Sequence, residues 1–184
     1  MNFLKKIFGS KEKEFEKKVN ENKNKTPEFK GIIVDEYFNK RYKETIIEKE
    51  LIEGIYKTIN GYISTNNLKM KVENPIEHPI NLDYIATVGV ENGIGFIDFC
   101  KTFGKKGDEE IVMYLSYAFS KYMIENFEFK LYDDNEPEFP HRFLSLKYNK
   151  NGKLLSLYPF EYSLKVLNIE ASFESLHSRI KSQL

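Results

Sequence analysis

The chain has 184 residues, 41% of them hydrophobic, with 15 Phe, 12 Tyr and no Trp, and its 28 Lys+Arg match 28 Asp+Glu. That length fits one domain with an ordinary core plus a tail, and the single cysteine, Cys100, excludes an intrachain disulfide and fits a reducing compartment such as the cytoplasm. No window approaches the roughly 20 apolar residues that a bilayer-spanning helix needs.

The overall neutrality is uneven. Residues 1–30 hold nine Lys and five Glu, a formal +4, which leaves −4 on the remainder. Residues 1–8 (MNFLKKIF) are apolar and basic, but Lys5 and Lys6 interrupt Phe3, Leu4, Ile7 and Phe8, so no signal-peptide core region is present. From Ser10 to Lys25 the only apolar residues are Phe15 and Val19, too few to offset the entropy of ordering. The expectation is a flexible basic arm over 1–30 with an apolar tip, and one α+β domain over 31–184.

From Tyr42 to Ile63 the positions Ile47, Leu51, Ile55, Ile59 and Tyr62 recur at helical spacing and predict an amphipathic helix. Gly54 inside it suggests a close packing neighbour. Residues 68–72 (LKMKV) alternate as a short strand does. Between 84 and 99, Glu91-Asn92-Gly93 separates two β-rich runs and predicts a hairpin with a type I′ turn; a pair of short helices is the alternative, since Ile97, Cys100 and Phe103 also share a helical face. Asp108 reads as an N-cap, with Glu109 and Glu110 favourable in the first turn of a helix running to about Asn126. Residues 127–132 read as a strand, 144–148 and 153–158 as a hairpin, 160–167 as a short helix, and Ser172 as the cap of a C-terminal helix. The fold class expected is α+β: an antiparallel sheet of about four to six strands packed by two long helices and a C-terminal helix.

Several motifs invite a chemical reading. Asp133, Asp134, Glu136 and Glu138 form an acidic loop that lacks the EF-hand spacing and glycine. With His141 and Arg142 nearby, it reads as a partner contact, and the acidic body would favour a basic partner. Phe3, Leu4, Lys5, Lys6, Ile7 and Phe8 could instead anchor the chain weakly on an anionic membrane surface or a partner. Interleaved glutamates and only three arginines argue against nucleic acid. His78, His141 and His177 are too scattered for a zinc pattern, Cys100 beside Phe99 and Phe103 reads as an inert thiol, and Asn92-Gly93-Ile94-Gly95 is a weak likeness of a phosphate loop. No metal or cofactor is expected. The function expected is a non-catalytic cytoplasmic protein-binding module, such as an antidote to a bacterial toxin or an accessory subunit. A peripheral membrane protein or a small enzyme of unfamiliar design are the alternatives.

Overall fold

The computed structural model describes residues 38, 40–92, 94–150 and 153–184. Residues 1–8 and the rest of the arm expected over 1–30 lie outside them. Residues 38, 40 and 41 are helical and run directly into strand β1 (Tyr42–Thr45). There follow α1 (Lys49–Thr65), α2 (Pro79–Asn92), α3 (Phe96–Gly104), α4 (Asp108–Phe127), β2 (Lys130–Asp134), a 3-10 turn (Pro140–Arg142), β3 (Leu144–Lys150), β4 (Lys153–Leu157), α5 (Pro159–Leu167) and α6 (Phe173–Gln183). The four strands make one antiparallel sheet in the order β1-β2-β3-β4. The α+β class therefore holds, with α1 and α4 as the long helices and α6 at the C-terminal end.

Strand alternation decides the layering. Leu131 stands opposite Leu146, and Tyr148 opposite Leu155. Leu131, Leu144, Leu146 and Tyr148 are buried against the helices, where they meet Ile55, Ile59, Leu115, Phe119, Met123 and Phe173 in one cluster. The helices thus cover one face of the sheet. The alternate residues of each strand point to the other face.

Several expectations need correction. Residues 42–45 are a strand rather than the start of a helix, and α1 buries Ile52, Ile55, Ile59 and Tyr62, while Leu51 is exposed. Local spacing could not reveal β1, because its partner β2 lies more than eighty residues away. Gly54 meets nothing within 4 Å of an added Cβ, so no packing neighbour calls for it. We expect Gly54→Ala to raise stability by about 0.5–1 kcal/mol, read as a higher urea midpoint at unchanged slope.

The strand expected at 68–72 is absent. The backbone N–H of Val72 donates to Asn81 Oδ1 (3.0 Å), and Asn81 Nδ2 donates back to the Val72 carbonyl (2.8 Å). One buried side chain thereby gives Val72 the pair of bonds that a neighbouring strand would have supplied. The hairpin expected over 84–99 is likewise overturned in favour of the helical alternative, α2 and α3. Pro79 suits the first position of α2, and Leu82, Ile85, Ala86 and Val88 are all buried there. Tertiary burial has overridden the β propensity of YIATVGV. On α3 the buried residues are Phe96, Phe99 and Cys100, whereas Phe103 is exposed.

Asp108 is the first residue of α4 and not its cap: Gly107 holds the cap position, its N–H donating to Glu110 Oε2 (3.1 Å). Phe127 ends α4 rather than starting a strand, and Glu128, in the left-handed region at φ 59°, turns the chain into β2. Ser172 does cap α6, accepting the Ser175 N–H (3.2 Å).

Candidate functional site

The face of the sheet turned away from the helices carries Tyr42 and Glu44 from β1, Lys130, Tyr132 and Asp134 from β2, Ser145 and Lys147 from β3, and Leu154 and Ser156 from β4. In register, Tyr132 stands opposite Ser145, and Lys147 opposite both Lys130 and Ser156. Two like charges directly across a ladder repel. Lys130 relieves this by reaching to Glu44 (3.0 Å) on its other side.

Lys147 remains at the centre of the face. Its ammonium donates to Ser156 Oγ (3.1 Å) and lies 4.2 Å from the Tyr42 ring centre and 5.8 Å from that of Tyr158. Burial pulls its pKa below the usual lysine value; Asp134 and Glu138 oppose that shift, and Arg41 adds to it. Around it lies a cleft of about 570 Å³ whose lining includes Phe38, Tyr42, Tyr132 and Leu154 together with the charged Glu128, Lys130 and Lys150. Phe38 packs on Tyr42 (4.9 Å between ring centres) and edge-on against Tyr132 (5.4 Å), closing one end.

Cations and rings alternate across the face. The Arg41 guanidinium sits 5.0 Å over Tyr42, and Arg142 lies between Phe139 (4.8 Å) and Tyr158 (4.7 Å). Both arginines are pinned by carboxylates. Arg41 Nε and Nη2 donate to Asp134 Oδ1 and Oδ2 at 2.9 and 2.8 Å, a bidentate pair with an Asp134 side chain only 1% exposed. Arg142 Nε donates to Glu161 Oε2 (2.6 Å), and Lys165 donates to Glu161 Oε1 (2.6 Å). Burial alone would raise the Glu161 carboxyl, but these two donors hold it below the usual range.

The residues singled out in the sequence separate here. Glu138, His141 and Arg142 come together: Arg142 is 3.5 Å from Glu138, and His141 stacks on Phe139 with Nε2 3.7 Å from Glu161. Asp134 is buried under Arg41 rather than offered to a partner, and it also accepts the Glu136 N–H (3.0 Å). Asp133 is half-buried in β2 and raises the Tyr117 hydroxyl on α4, after burial, so it serves the helix side of the sheet. The acidic loop therefore neutralises much of its charge within the chain. Phe3, Leu4, Lys5, Lys6, Ile7 and Phe8 lie outside the described residues.

Lys147, Tyr42 and Tyr132 were not singled out from the sequence. The signal for Tyr132 and Lys147 was there: 130, 132, 145, 147 and 156 are the out-of-phase positions of strands whose other face is apolar. Tyr42 was hidden by the helical reading of its segment.

Other polar groups lie inside the fold. Burial pushes the Cys100 thiol up to about 12, beyond the reach of thiolate chemistry at neutral pH. His78 and His177 lie 5.7 Å apart against Tyr122, and burial lowers both pKa values. Among the described residues no group of three or more His, Cys, Asp and Glu is placed to hold a metal ion, and no helix is long and apolar enough to cross a membrane. No family model, curated protein or solved structure matches the chain.

Proposed function

We propose that the chain is a non-catalytic protein-binding module that docks its partner on the outer face of the sheet, as a toxin antidote or an accessory subunit of a larger assembly would. The observation that supports this is the row Phe139, Arg142, Tyr158, Lys147, Tyr42 and Arg41, in which each cation lies within 6 Å of at least one ring. Tyrosine and arginine dominate binding hot spots because they present large, rigid areas with a polar end. Here the two arginines are already held by Glu161 and Asp134, which limits the ordering cost of docking. Leu154, 74% exposed, and Phe139, 43% exposed, offer apolar area at either end. The basic partner expected from the acidic body finds little support in residues 133–138, where Asp134 and Glu138 already have arginine partners.

The test is capture of a stoichiometric partner from the source cells, followed by hydrogen exchange on the purified complex. Protection should fall on β3, β4 and Tyr42. Leu154→Arg should weaken binding at least about tenfold, or 1.4 kcal/mol, without altering the melting curve. Protection confined to α1 and α3, or turnover of a small substrate with no partner bound, would overturn the reading.

A further inference from the structure

Seven lysine and arginine side chains among the described residues are at least partly buried. Six have a carboxylate within 4.0 Å: Arg41 has Asp134, Lys101 has Asp108, Lys106 has Glu110, Lys121 has Glu77 and Glu125, and Arg142 and Lys165 share Glu161. The seventh, Lys147, has none that close; it donates to the neutral hydroxyl of Ser156 and faces the rings of Tyr42 and Tyr158, while the carboxylates that act on it from farther off, Asp134 and Glu138, are each engaged by an arginine.

A partly desolvated ammonium favours an anion over water. The other charges lining the cleft are already matched, Lys130 by Glu44 (3.0 Å) and Lys150 by Glu128 (2.5 Å). The site therefore lacks one negative charge. A phosphate would need several converging unmatched donors, whereas here a single ammonium without a carboxylate partner stands beside Phe38, Tyr42, Tyr132 and Leu154. A single carboxylate joined to an apolar body fits both features.

Building on the docking reading above, we infer that Lys147 receives a carboxylate side chain of the partner protein, with a neighbouring apolar side chain of the same segment filling the ring-lined cleft. The close ion pair that Lys147 lacks among the described residues is completed across the interface.

The probe is 3-phenylpropionate, compared with its uncharged amide, titrated into the full ¹⁵N-labelled chain. The acid should bind with a Kd on the order of 1 mM, as about 0.3–0.4 kcal/mol per heavy atom gives, and should shift the amides of Tyr42, Tyr132 and Lys147. The amide should bind at least about tenfold more weakly. Lys147→Met should lose the preference for the acid. Lys147→Gln, which keeps a donor toward Ser156, should lose it too and serves if the Met variant does not fold. Equal binding of acid and amide, or an acid preference surviving both substitutions, would overturn the inference. So would micromolar binding of the acid, which would make the cleft a small-molecule site.

The partner complex separates this inference from the reading it rests on. Lys147→Met should weaken partner binding at least about tenfold, and Lys57→Met, at an exposed lysine on α1 on the opposite side of the sheet, should leave it unchanged. If Leu154→Arg abolishes binding while Lys147→Met does not, the docking face stands and the carboxylate assignment fails. If neither matters, both fail.

Discussion

Replacing Asp134 with Ala should destabilise the fold by about 3–5 kcal/mol, the cost of stranding one partner of a buried ion pair. Asp134 accepts hydrogen bonds from Arg41 Nε and Nη2 through both of its carboxylate oxygens, and the two side chains are only 1% and 14% exposed. In the variant the Arg41 guanidinium, over Tyr42, would lose the carboxylate that it grips with Nε and Nη2. The Glu136 N–H would lose its acceptor as well. Urea denaturation gives the magnitude, and the double variant Arg41→Met with Asp134→Leu should recover most of the loss, because it removes both charges and restores apolar volume. A loss below about 1 kcal/mol would place the pair among ordinary surface salt bridges and would deny it any part in fixing the docking face.

The second large effect is expected at Asp83, on α2. Its Oδ1 accepts the Phe173 N–H (2.7 Å), and its Oδ2 accepts the Glu174 N–H (2.9 Å) and the Ser172 hydroxyl (2.8 Å). These amides begin α6 and have no acceptor within their own helix. A carboxylate borrowed from another helix satisfies them and opposes the helix dipole. Asp83→Ala should cost about 2–4 kcal/mol, since several bonds to one charged group are lost at once. Native-state hydrogen exchange is the informative measurement, because α6 should open below the global transition in the variant while β2 and β3 keep their protection. Asp83→Asn should lie between, as an amide supplies one acceptor oxygen in place of two. If α6 and the sheet lose protection equally, the cap is not local to α6.

What could be read from the sequence depended on range. The hairpin at 144–158, helix α4 and the Ser172 cap are written in adjacent residues, and they stand where the local pattern puts them within a residue or two. The errors fall where a distant partner decides. Residues 42–45 extend because β2 pairs with them, and 68–72 make no ladder because Asn81 takes the Val72 backbone groups. Residues 84–92 coil because α2 finds apolar neighbours on every buried turn. The candidate site followed the same rule. His141 and Arg142 were picked out by type and proximity, and they do lie on the face. Asp134 carried the same signal, but its role is set by Arg41, 93 positions earlier. Alternation along β3 puts Lys147 on the outward face, but its lack of a close carboxylate is visible only once the acidic side chains of the other elements have been placed.

Strand β1 leaves the ribosome well before the strand it joins, with four helices between them. At synthesis rates of roughly 5–20 residues per second, its wait is on the order of ten seconds. During that interval α1 to α4 can assemble, but Tyr42–Thr45 has nothing to pair with, and when β2, β3 and β4 close on one another the open flank of β2 stays unclaimed until β1 arrives. Arg41, next to β1, then reaches Asp134 at the end of β2. The clasp between them is a late latch on a nascent chain, and a chain caught before it closes would offer a bare strand flank to any neighbour emerging from the same message.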